Sequence, residues 1–322
     1  MIKVALIGIG GMGKVHFDAY KTVDTAQVIA VADVRTEMAR EKVADDSIKI
    51  YATMDELLAN ERPDMVDICT PSYTHPEIAV KALEAGVHVL CEKPMSVSSK
   101  DTGKVIEAAK KSGKLFMTAH VVRFMKPYMY LKNIIDSGEL GKPVHIEMRR
   151  LSSVPRWSWQ DWMRDLSKSG GTPMDLSIHD IDFAHYVFGQ PEKVSAVYKK
   201  LENDNDHITS VLVYDGFTVT ATSGWFNCDY PFKAEYEAIF ENGYVSYVND
   251  VVVKNEKVVD IKKEEASQST GINLSSADGI PAELQYFVDC VKNNKEPQVV
   301  TPESSEGTVK LVERIIENAI VL

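Results

Sequence analysis

The sequence holds few of the residues that cross-link or anchor a protein. Its 322 residues include 4 cysteines, Cys69, Cys91, Cys228 and Cys290, and no two of them are close enough to form a CxxC pair. No apolar run approaches the roughly 18 residues that a membrane span requires. The apolar start, Val4 to Ile7, is too short for the core of a signal peptide. We therefore expect free thiols in a reducing cytoplasm, with neither a disulfide framework nor a membrane anchor.

Basic residues are also few, and the histidines lack the spacing of metal ligands. The 36 Lys and Arg residues are outnumbered by 47 Asp and Glu residues, which gives a net charge of -11 with His neutral. That balance argues against a broad electrostatic surface for nucleic acid or for an anionic membrane. The 8 histidines are scattered without the spacing of metal ligands, so we expect no bound metal.

Two patterns of predicted elements divide the chain near residue 120. Before it, short apolar runs alternate with amphipathic stretches, which predicts parallel strands covered by helices on both faces. The predicted strands are Lys3–Ile7, Val28–Ala32, Met65–Cys69, Val87–Cys91 and Leu115–Thr118, with helices at Pro76–Ala85 and Ser99–Ser112 among them. Gly86 and Gly113 follow those two helices, where a left-handed residue ends a helix.

Beyond residue 120 the pattern changes to hairpins. Asp215-Gly216 and Glu241-Asn242-Gly243 stand between neighbouring strand-like runs and predict tight turns in an antiparallel sheet. The predicted strands are Val144–Arg150, Val194–Tyr198, Ile208–Tyr214, Thr218–Ser223, Ala234–Phe240 and Tyr244–Val248; the predicted helices are Pro127–Ser137, Met174–Phe188, Pro281–Asn293 and Pro302–Ala319; and Lys262–Asp278 is predicted to be a surface loop. We thus expect a doubly wound α/β domain over 1–120 and an α+β domain over 121–322.

A glycine-rich motif follows the first strand and opens a helix. It reads Gly8-Ile9-Gly10-Gly11-Met12-Gly13, the GxGxxG arrangement of dinucleotide-binding domains. Gly8 would permit the tight turn, Gly10 would let a pyrophosphate approach the backbone, and Gly13 would let helix and strand pack closely. The N-terminus of that helix, at Gly11 and Met12, offers N–H groups to phosphates.

The choice of cofactor depends on two residues after the second strand. Asp33 stands where a carboxylate would accept hydrogen bonds from the ribose hydroxyls of NAD and repel the 2′-phosphate of NADP. Arg35 weakens this discrimination, because a guanidinium can stack on adenine or bind a phosphate. We predict NAD, with NADP as an alternative.

Three further segments carry chemistry. Thr70-Pro71, with His75 close behind, and Glu92-Lys93-Pro94 follow predicted parallel strands, at the edge where doubly wound sheets bind ligands. In the run from Gly170 to His179, Asp175 and His179 are four residues apart and would share one helix face.

With these motifs the chain resembles the Gfo/Idh/MocA family, which includes glucose–fructose oxidoreductase and inositol 2-dehydrogenase. The resemblance covers essentially the whole chain. It implies a Rossmann domain and a second domain with a large open, mainly antiparallel sheet, through which members commonly form oligomers; a homodimer or homotetramer is therefore expected. The matching positions imply cofactor contacts at Thr70, Pro71, His75, Glu92 and Lys93.

The resemblance also implies three catalytic residues. His179 matches the family's catalytic histidine, and an imidazole with a pKa near 6.5 suits a base at neutral pH. Lys93 matches the lysine that contacts the reacting hydroxyl, and Asp175 the carboxylate that binds substrate. Taken singly, they could equally be a solvated lysine, a core histidine and a helix cap. The resemblance allows a cis peptide before Pro94, which the sequence does not decide.

Arg123 and a tryptophan-rich segment are further candidates for substrate binding. Arg123 corresponds to a family segment that borders the substrate, although an ion pair explains it equally well. The segment from Arg156 to Trp162 offers aromatic faces for a sugar or cyclitol ring, Trp157 and Trp162 among them, or else packs as a loop or subunit contact. Trp159 and Trp162, spaced i and i+3, would share a helix face.

The sequence therefore predicts an NAD(P)-dependent dehydrogenase of a secondary hydroxyl in a cyclic polyol, sugar or sugar derivative. One alternative is an enzyme of the same family that recycles its NAD, for instance in glycoside cleavage by transient oxidation. The other is an NAD-binding sensor without catalysis. The sequence does not decide which polyol or sugar is the substrate, or which hydroxyl reacts.

Overall fold

A computed structural model describes residues 1–261 and 279–322, so the predicted loop Lys262–Asp278 lies outside the described residues. These residues form two compact units. The first takes Met1–Val121 and a later segment that ends at Glu306, and the second takes the chain from Val122 onward and the C-terminal segment Gly307–Leu322. The predicted boundary after residue 120 falls beside the first crossing. The crossing after Glu306 has no counterpart in the sequence pattern.

A six-stranded parallel sheet forms the centre of the first unit. Its strand order is β3-β2-β1-β4-β5-β6, in which the direction of winding reverses between β1 and β4. Its strands are β1 (Ile2–Ile7), β2 (Ala26–Ala32), β3 (Lys49–Tyr51), β4 (Met65–Ile68), β5 (His88–Glu92) and β6 (Phe116–Ala119). This is the doubly wound order that binds dinucleotides at the point of reversal. The predicted Rossmann fold is confirmed.

Helices cover this sheet. They are α1 (Gly11–Ala19), α2 (Thr36–Val43), α3 (Met54–Asn60), α4 (His75–Glu84) and α5 (Ser99–Ser112), with α9 (Ile280–Asn293) from the later segment and 3₁₀ turns at Tyr20–Thr22 and Ser72–Thr74. Strand β4 is buried along its whole length, as a strand covered on both faces must be. Helix α9 belongs here because Gln285 donates a hydrogen bond to the Thr25 hydroxyl.

A nine-stranded mixed sheet forms the second unit. Its order is β14-β13-β12-β11-β7-β10-β9-β8-β15, and only the β7–β10 and β8–β15 pairs are parallel among the described strands. Its strands are β7 (Pro143–Ser153), β8 (Lys193–Glu202), β9 (Asn205–Tyr214), β10 (Phe217–Phe226), β11 (Lys233–Phe240), β12 (Gly243–Val248), β13 (Val251–Lys254), β14 (Lys257–Val258) and β15 (Ala319–Val321). Both predicted hairpins are present, as β9–β10 and β11–β12.

Helices pack on one face of this sheet, and the other face is partly exposed to solvent. Along β7, Ile146 and Met148 are buried whereas Glu147 and Arg149 are exposed. The helices are α6 (Lys126–Ser137), α7 (Leu166–Ser169), α8 (Ile178–Phe188) and α10 (Pro302–Glu317), with 3₁₀ turns at Val121–Phe124 and Trp159–Arg164 and a π-helical turn at Pro173–Ser177. The predicted helix Pro302–Ala319 ends at Glu317, and its last residue, Ala319, begins strand β15, which pairs with β8.

Candidate active site

The three motif glycines meet different surroundings. Gly8 has a φ of +87°, and a Cβ there would lie 2.7 Å from the carbonyl oxygen of Cys69. A Cβ on Gly13 would lie 2.1 Å from the carbonyl oxygen of Gly8. A Cβ on Gly10 would meet nothing nearer than the Arg35 guanidinium at 4.0 Å. The fold itself therefore requires glycine at 8 and 13, whereas Gly10 leaves open space of the kind that a pyrophosphate would fill.

Helix α1 begins beside that open space with its N–H groups uncapped by a side chain. Gly10 is the N-cap and supplies no side-chain hydrogen bond, and the first turn holds no acidic residue. The helix dipole and these N–H groups favour an anion. The Lys42 ammonium donates hydrogen bonds to the carbonyl oxygens of Ile9, at 3.0 Å, and Gly10, at 2.9 Å. Lys42 thereby holds the turn that Gly11 and Met12 continue.

Asp33 connects the glycine turn with Arg35. Its Oδ2 accepts the backbone N–H of Ile9 at 3.0 Å, and its Oδ1 accepts the Arg35 Nε–H at 3.2 Å. The carboxylate is buried, while the Arg35 side chain keeps 33% of its exposure. Burial, followed by the charge of Arg35, lowers the pKa of the neighbouring Lys42. The position thus combines the carboxylate expected for a ribose diol with two cations able to face a phosphate.

The loops after β4 and β5 are joined by His75. Its Nδ1 lies 2.8 Å from the Pro94 carbonyl oxygen, and its Nε2 lies 2.8 Å from that of Thr70. The ring is 1% exposed, and burial lowers its pKa. His75 thus joins the two loops inside the first unit, while its predicted contact with the cofactor, beside Pro71, stays a prediction.

Lys93 leaves β5 at a cis peptide bond with Pro94 and is half-buried. Its backbone N–H donates to Glu92 Oε2 at 3.0 Å. The other oxygen of Glu92, Oε1, lies 3.0 Å from Nε2 of His16. The Glu92 carboxylate is thus bonded to the protein through both oxygens, and it positions Lys93.

His16 is a site residue that the sequence reasoning missed. It lies on α1 with no exposure, and its Nδ1 is 2.9 Å from Oδ2 of Asp67. Asp67 also accepts the Cys69 thiol at 3.6 Å. Burial raises the pKa of Cys69 far above its usual range, so the thiol stays protonated and suits a hydrogen bond better than a metal bond. The available signal was a carboxylate, Asp67, inside an apolar strand, since a buried charge needs a partner.

In the second unit, a pair of left-handed glycines opens the segment that holds Asp175. Gly170 and Gly171 have φ of +71° and +67°, and a Cβ on Gly171 would lie 2.7 Å from Asp206 Oδ2. The same oxygen accepts the Thr172 backbone N–H at 2.8 Å. Only glycine fits this approach without strain. The glycine pair therefore fixes where the following helical turn begins.

Asp175 and His179 share the accessible side of that segment. From 171 to 184 they are the two residues that retain intermediate exposure, and the others are buried. The spacing predicted an α-helix here, but Pro173–Ser177 forms a π-helical turn before α8 begins at Ile178. Single π turns occur often at functional sites. A carboxylate and an imidazole thus reach the surface of an otherwise buried segment.

Two buried arginines hold the helix that carries His179. Arg150 donates to Asp180 at 2.7 Å, and Arg123 donates to both oxygens of Asp182 at 2.6 and 2.8 Å. The Arg123 guanidinium also lies 4.6 Å from the centre of the Tyr186 ring. Arg123 is 3% exposed, so its geometry matches the ion-pair alternative rather than a substrate contact.

The tryptophan segment is irregular. Gln160 and Asp161 have φ of +53° and +54°, so Trp159 and Trp162 do not lie on one regular helix and that expectation is wrong. Trp162 packs against the buried cluster of Val154, Met163, Leu176 and Trp225. Trp157, in contrast, is 75% exposed.

The candidate residues thus separate into two groups. The glycine motif, Asp33, Arg35 and Lys93 belong to the first unit, while Asp175 and His179 belong to the second. Among the described residues no helix is long and apolar enough to cross a membrane.

Comparison with known proteins supports this division. Residues 2–120 match a family model described as an oxidoreductase family with an NAD-binding Rossmann fold, and residues 128–246 match the GFO/IDH/MocA C-terminal domain. The chain is 30% identical over 256 residues to the inositol 2-dehydrogenase of Salmonella paratyphi B, covering 75% of this chain and 72% of that enzyme. It is 33% identical over 198 residues to the myo-inositol 2-dehydrogenase of Thermotoga maritima, covering 61% of this chain and 57% of that enzyme.

A solved structure agrees with the fold. An oxidoreductase from Agrobacterium radiobacter, crystallised with NAD+, L-tartaric acid and magnesium, superposes with a TM-score of 0.82 at 20% identity, over 98% of this chain and 96% of the other. The predicted fold class and the NAD-binding character of the first unit are confirmed.

Proposed function

Because the chain belongs to the Gfo/Idh/MocA oxidoreductase family, we propose that it oxidises a secondary hydroxyl of a cyclic polyol, sugar or sugar derivative with NAD. One observation carries the proposal: Asp175 and His179 alone keep exposure in the segment 171–184. The open space at Gly10 and the buried carboxylate of Asp33 fit the pyrophosphate and ribose of the cofactor. The related inositol dehydrogenases point to a cyclic polyol.

Three side chains divide the chemistry. Oxidation of the alcohol to a ketone removes one hydride and one proton, and NAD, when bound, accepts the hydride. His179 accepts the hydroxyl proton as the general base. The Lys93 ammonium stabilises the negative charge that develops on the oxygen as that proton leaves. Asp175 binds a substrate hydroxyl and orients it toward the base.

Substrate recognition includes aromatic side chains in this proposal. The exposed face of Trp157 suits the C–H face of a cyclitol or sugar ring. Trp162 packs against its buried cluster and thereby holds one end of the same segment in place. We leave Arg123 out of the substrate group because Asp182 already binds its guanidinium.

The proposed setting is a cytoplasmic homo-oligomer. One face of the nine-stranded sheet presents the partly exposed threonines 218, 220 and 222 of strand β10, and a second copy would cover this face. The cysteines at 69, 91, 228 and 290 are all free, which is typical of a reducing compartment. Size-exclusion chromatography with light scattering measures the assembly: a dimer or tetramer is expected, and a monomer contradicts it.

The proposal is tested by screening inositols, aldoses and sugar acids for reduction of NAD+ and NADP+ at 340 nm. With a compound that is oxidised, Lys93→Met, Asp175→Asn and His179→Ala should each lower kcat by about 10²-fold or more, because each removes a group acting on the reacting hydroxyl. Lys81→Met, which changes an exposed lysine paired with Asp55, is the matched control and should keep kcat. Near-normal turnover in any of the three variants removes that residue from the catalytic group.

The same screen separates the alternatives. Conversion of a glycoside without accumulation of NADH identifies an enzyme that recycles its NAD. Binding of NAD with no conversion of any compound favours a sensor and overturns the dehydrogenase proposal.

A further inference from the structure

We propose that His16 is a positioning residue for Lys93, acting through Glu92. The imidazole binds one carboxylate oxygen of Glu92, and the other oxygen binds the backbone N–H of Lys93. The inference rests on the proposed catalytic role of Lys93. It gives a role in the reaction to a histidine that is buried inside the first unit and that no surface feature would indicate.

The geometry connects three parts of the sheet edge through one ring. His16 lies on α1, the helix that begins at the glycine turn. Its Nδ1 reaches Asp67 of β4 at 2.9 Å, and its Nε2 reaches Glu92 of β5 at 3.0 Å. The proposed cofactor turn and strand β5, which Lys93 follows, therefore have fixed positions relative to one another.

The charges require a cation at His16. Two carboxylates surround the ring, and a buried carboxylate is costly unless it is paired and hydrogen-bonded. Although burial opposes it, the interactions of the ring with the Cys69 and Asp67 side chains raise the pKa of His16 well above 6.5. Burial raises the pKa of Glu92, but the His16 hydrogen bond and charge outweigh it and lower that pKa.

This arrangement fixes the backbone from which the Lys93 side chain extends. Glu92 accepts the N–H of Lys93, and Nδ1 of His75 lies 2.8 Å from the carbonyl oxygen of Pro94, so a buried side chain contacts each end of the dipeptide. A charged amine acts on a reacting oxygen only when its distance and direction are right, and small displacements reduce the rate strongly. Loss of His16 would leave Glu92 with an unpaired oxygen and free it to turn away from Lys93.

A double-mutant cycle with Lys93 is the test. His16→Gln, Lys93→Met and the double variant are compared by single-turnover NADH formation, with myo-inositol as the first probe and the best compound of the screen as the second. His16→Gln should lower the rate by about 10²-fold, while the Kd for NAD+ changes less than threefold. Added to Lys93→Met, it should lower the rate no further, because its effect passes through the lysine.

The outcomes are distinct. An equal further loss in the Lys93→Met background, or a normal rate in His16→Gln, overturns the positioning role while the catalytic role of Lys93 stands. A normal rate in Lys93→Met overturns that catalytic role, and the positioning role with it. A general loss of stability would lower the rate in both backgrounds alike.

Two measurements need no substrate. Hydrogen exchange of the Lys93 backbone amide should quicken at least tenfold in His16→Gln, whereas His88→Gln, at the opposite end of β5, should leave it unchanged. If His16→Gln does not fold, the ring ¹⁵N resonances of His16 in the unmodified chain decide: both nitrogens should be protonated at pH 7. A slow, unchanged Lys93 amide or a neutral His16 ring contradicts the inference.

Discussion

Both carboxylate oxygens of Asp182 accept hydrogen bonds from the guanidinium of Arg123, at 2.6 and 2.8 Å, and both side chains are only 1% exposed. Thr308 donates a third hydrogen bond to Asp182 at 2.8 Å. The carboxylate is therefore fully engaged inside the second unit. Of the two interpretations of Arg123 that the sequence left open, this geometry favours the ion pair.

Removing one partner of this pair should destabilise the protein. Arg123→Met leaves the Asp182 carboxylate buried without its cation, which costs about 3–5 kcal/mol of unfolding free energy. Arg123→Met with Asp182→Leu should recover much of that loss, since no charge is then left buried. Urea unfolding measures both. Lys81→Ala, at an exposed ion pair, is the control and should change stability by less than about 1 kcal/mol. An Arg123→Met variant with normal stability and a raised KM would restore the substrate-binding interpretation.

Two motif glycines should respond differently to alanine. Gly13→Ala places a Cβ 2.1 Å from the Gly8 carbonyl oxygen, so the turn must distort and both stability and NAD+ affinity should fall. The Cβ of Gly10→Ala has no protein atom nearer than the Arg35 guanidinium at 4.0 Å, so stability should change by less than about 1 kcal/mol, while NAD+ affinity falls at least tenfold.

Thermal unfolding and NAD+ titration by fluorescence measure these effects. Gly103→Ala is the control, since nothing lies within 4 Å of the added Cβ inside helix α5. It should stabilise the helix by roughly 0.5–1 kcal/mol and leave NAD+ affinity unchanged. Equal NAD+ affinity in Gly10→Ala and the unmodified chain would show that the pyrophosphate does not approach at Gly10.

Asp33→Asn should shift cofactor preference toward NADP. The amide oxygen can still accept the Ile9 N–H, but the negative charge that binds Arg35 and repels a 2′-phosphate is gone. We expect the ratio of Kd for NADP+ to Kd for NAD+ to fall by about tenfold. Asp33→Asn with Arg35→Gln should lose that gain. Calorimetric titration of both cofactors measures it, and an unchanged ratio would remove Asp33 from the specificity group.

The His16–Glu92 pair should make the stability of the protein depend on pH. The pKa of His16 is raised above 6.5 in the folded state, so its contribution is complete below pH 6.5 and declines as the pH rises through the folded value. The pKa of Glu92 is lowered from 4.5, so its contribution is complete above pH 4.5 and declines as the pH falls through the folded value. Their joint contribution is therefore greatest between these two pH values.

The unfolding free energies of the unmodified chain and of His16→Gln, measured in urea from pH 4 to 9, check this. Their difference should be largest near pH 5 to 6 and should shrink toward pH 9. A difference that grows with rising pH contradicts the charged state of His16.

Local patterns in the sequence determined most of the first unit and its cofactor motif. Helix α5 has the predicted bounds, Ser99–Ser112, and ends at a left-handed Gly113, because periodicity and capping act over a few residues. The glycine motif is equally local, since its three glycines all lie where β1 passes into α1. The hairpin turn at Asp215-Gly216 is another such case.

Only the tertiary structure decided which charged residues, distant in the sequence, pair with one another. His16 meets Asp67 and Glu92 across 51 and 76 positions of the chain, and Arg123 meets Asp182 across 59. The last helix likewise stops at Glu317, and the chain that follows pairs as strand β15 with β8, whose backbone offers partners. A short-range pattern records the conformational preference of a segment, whereas burial creates charges and open edges that must be satisfied by whatever residues the fold brings near.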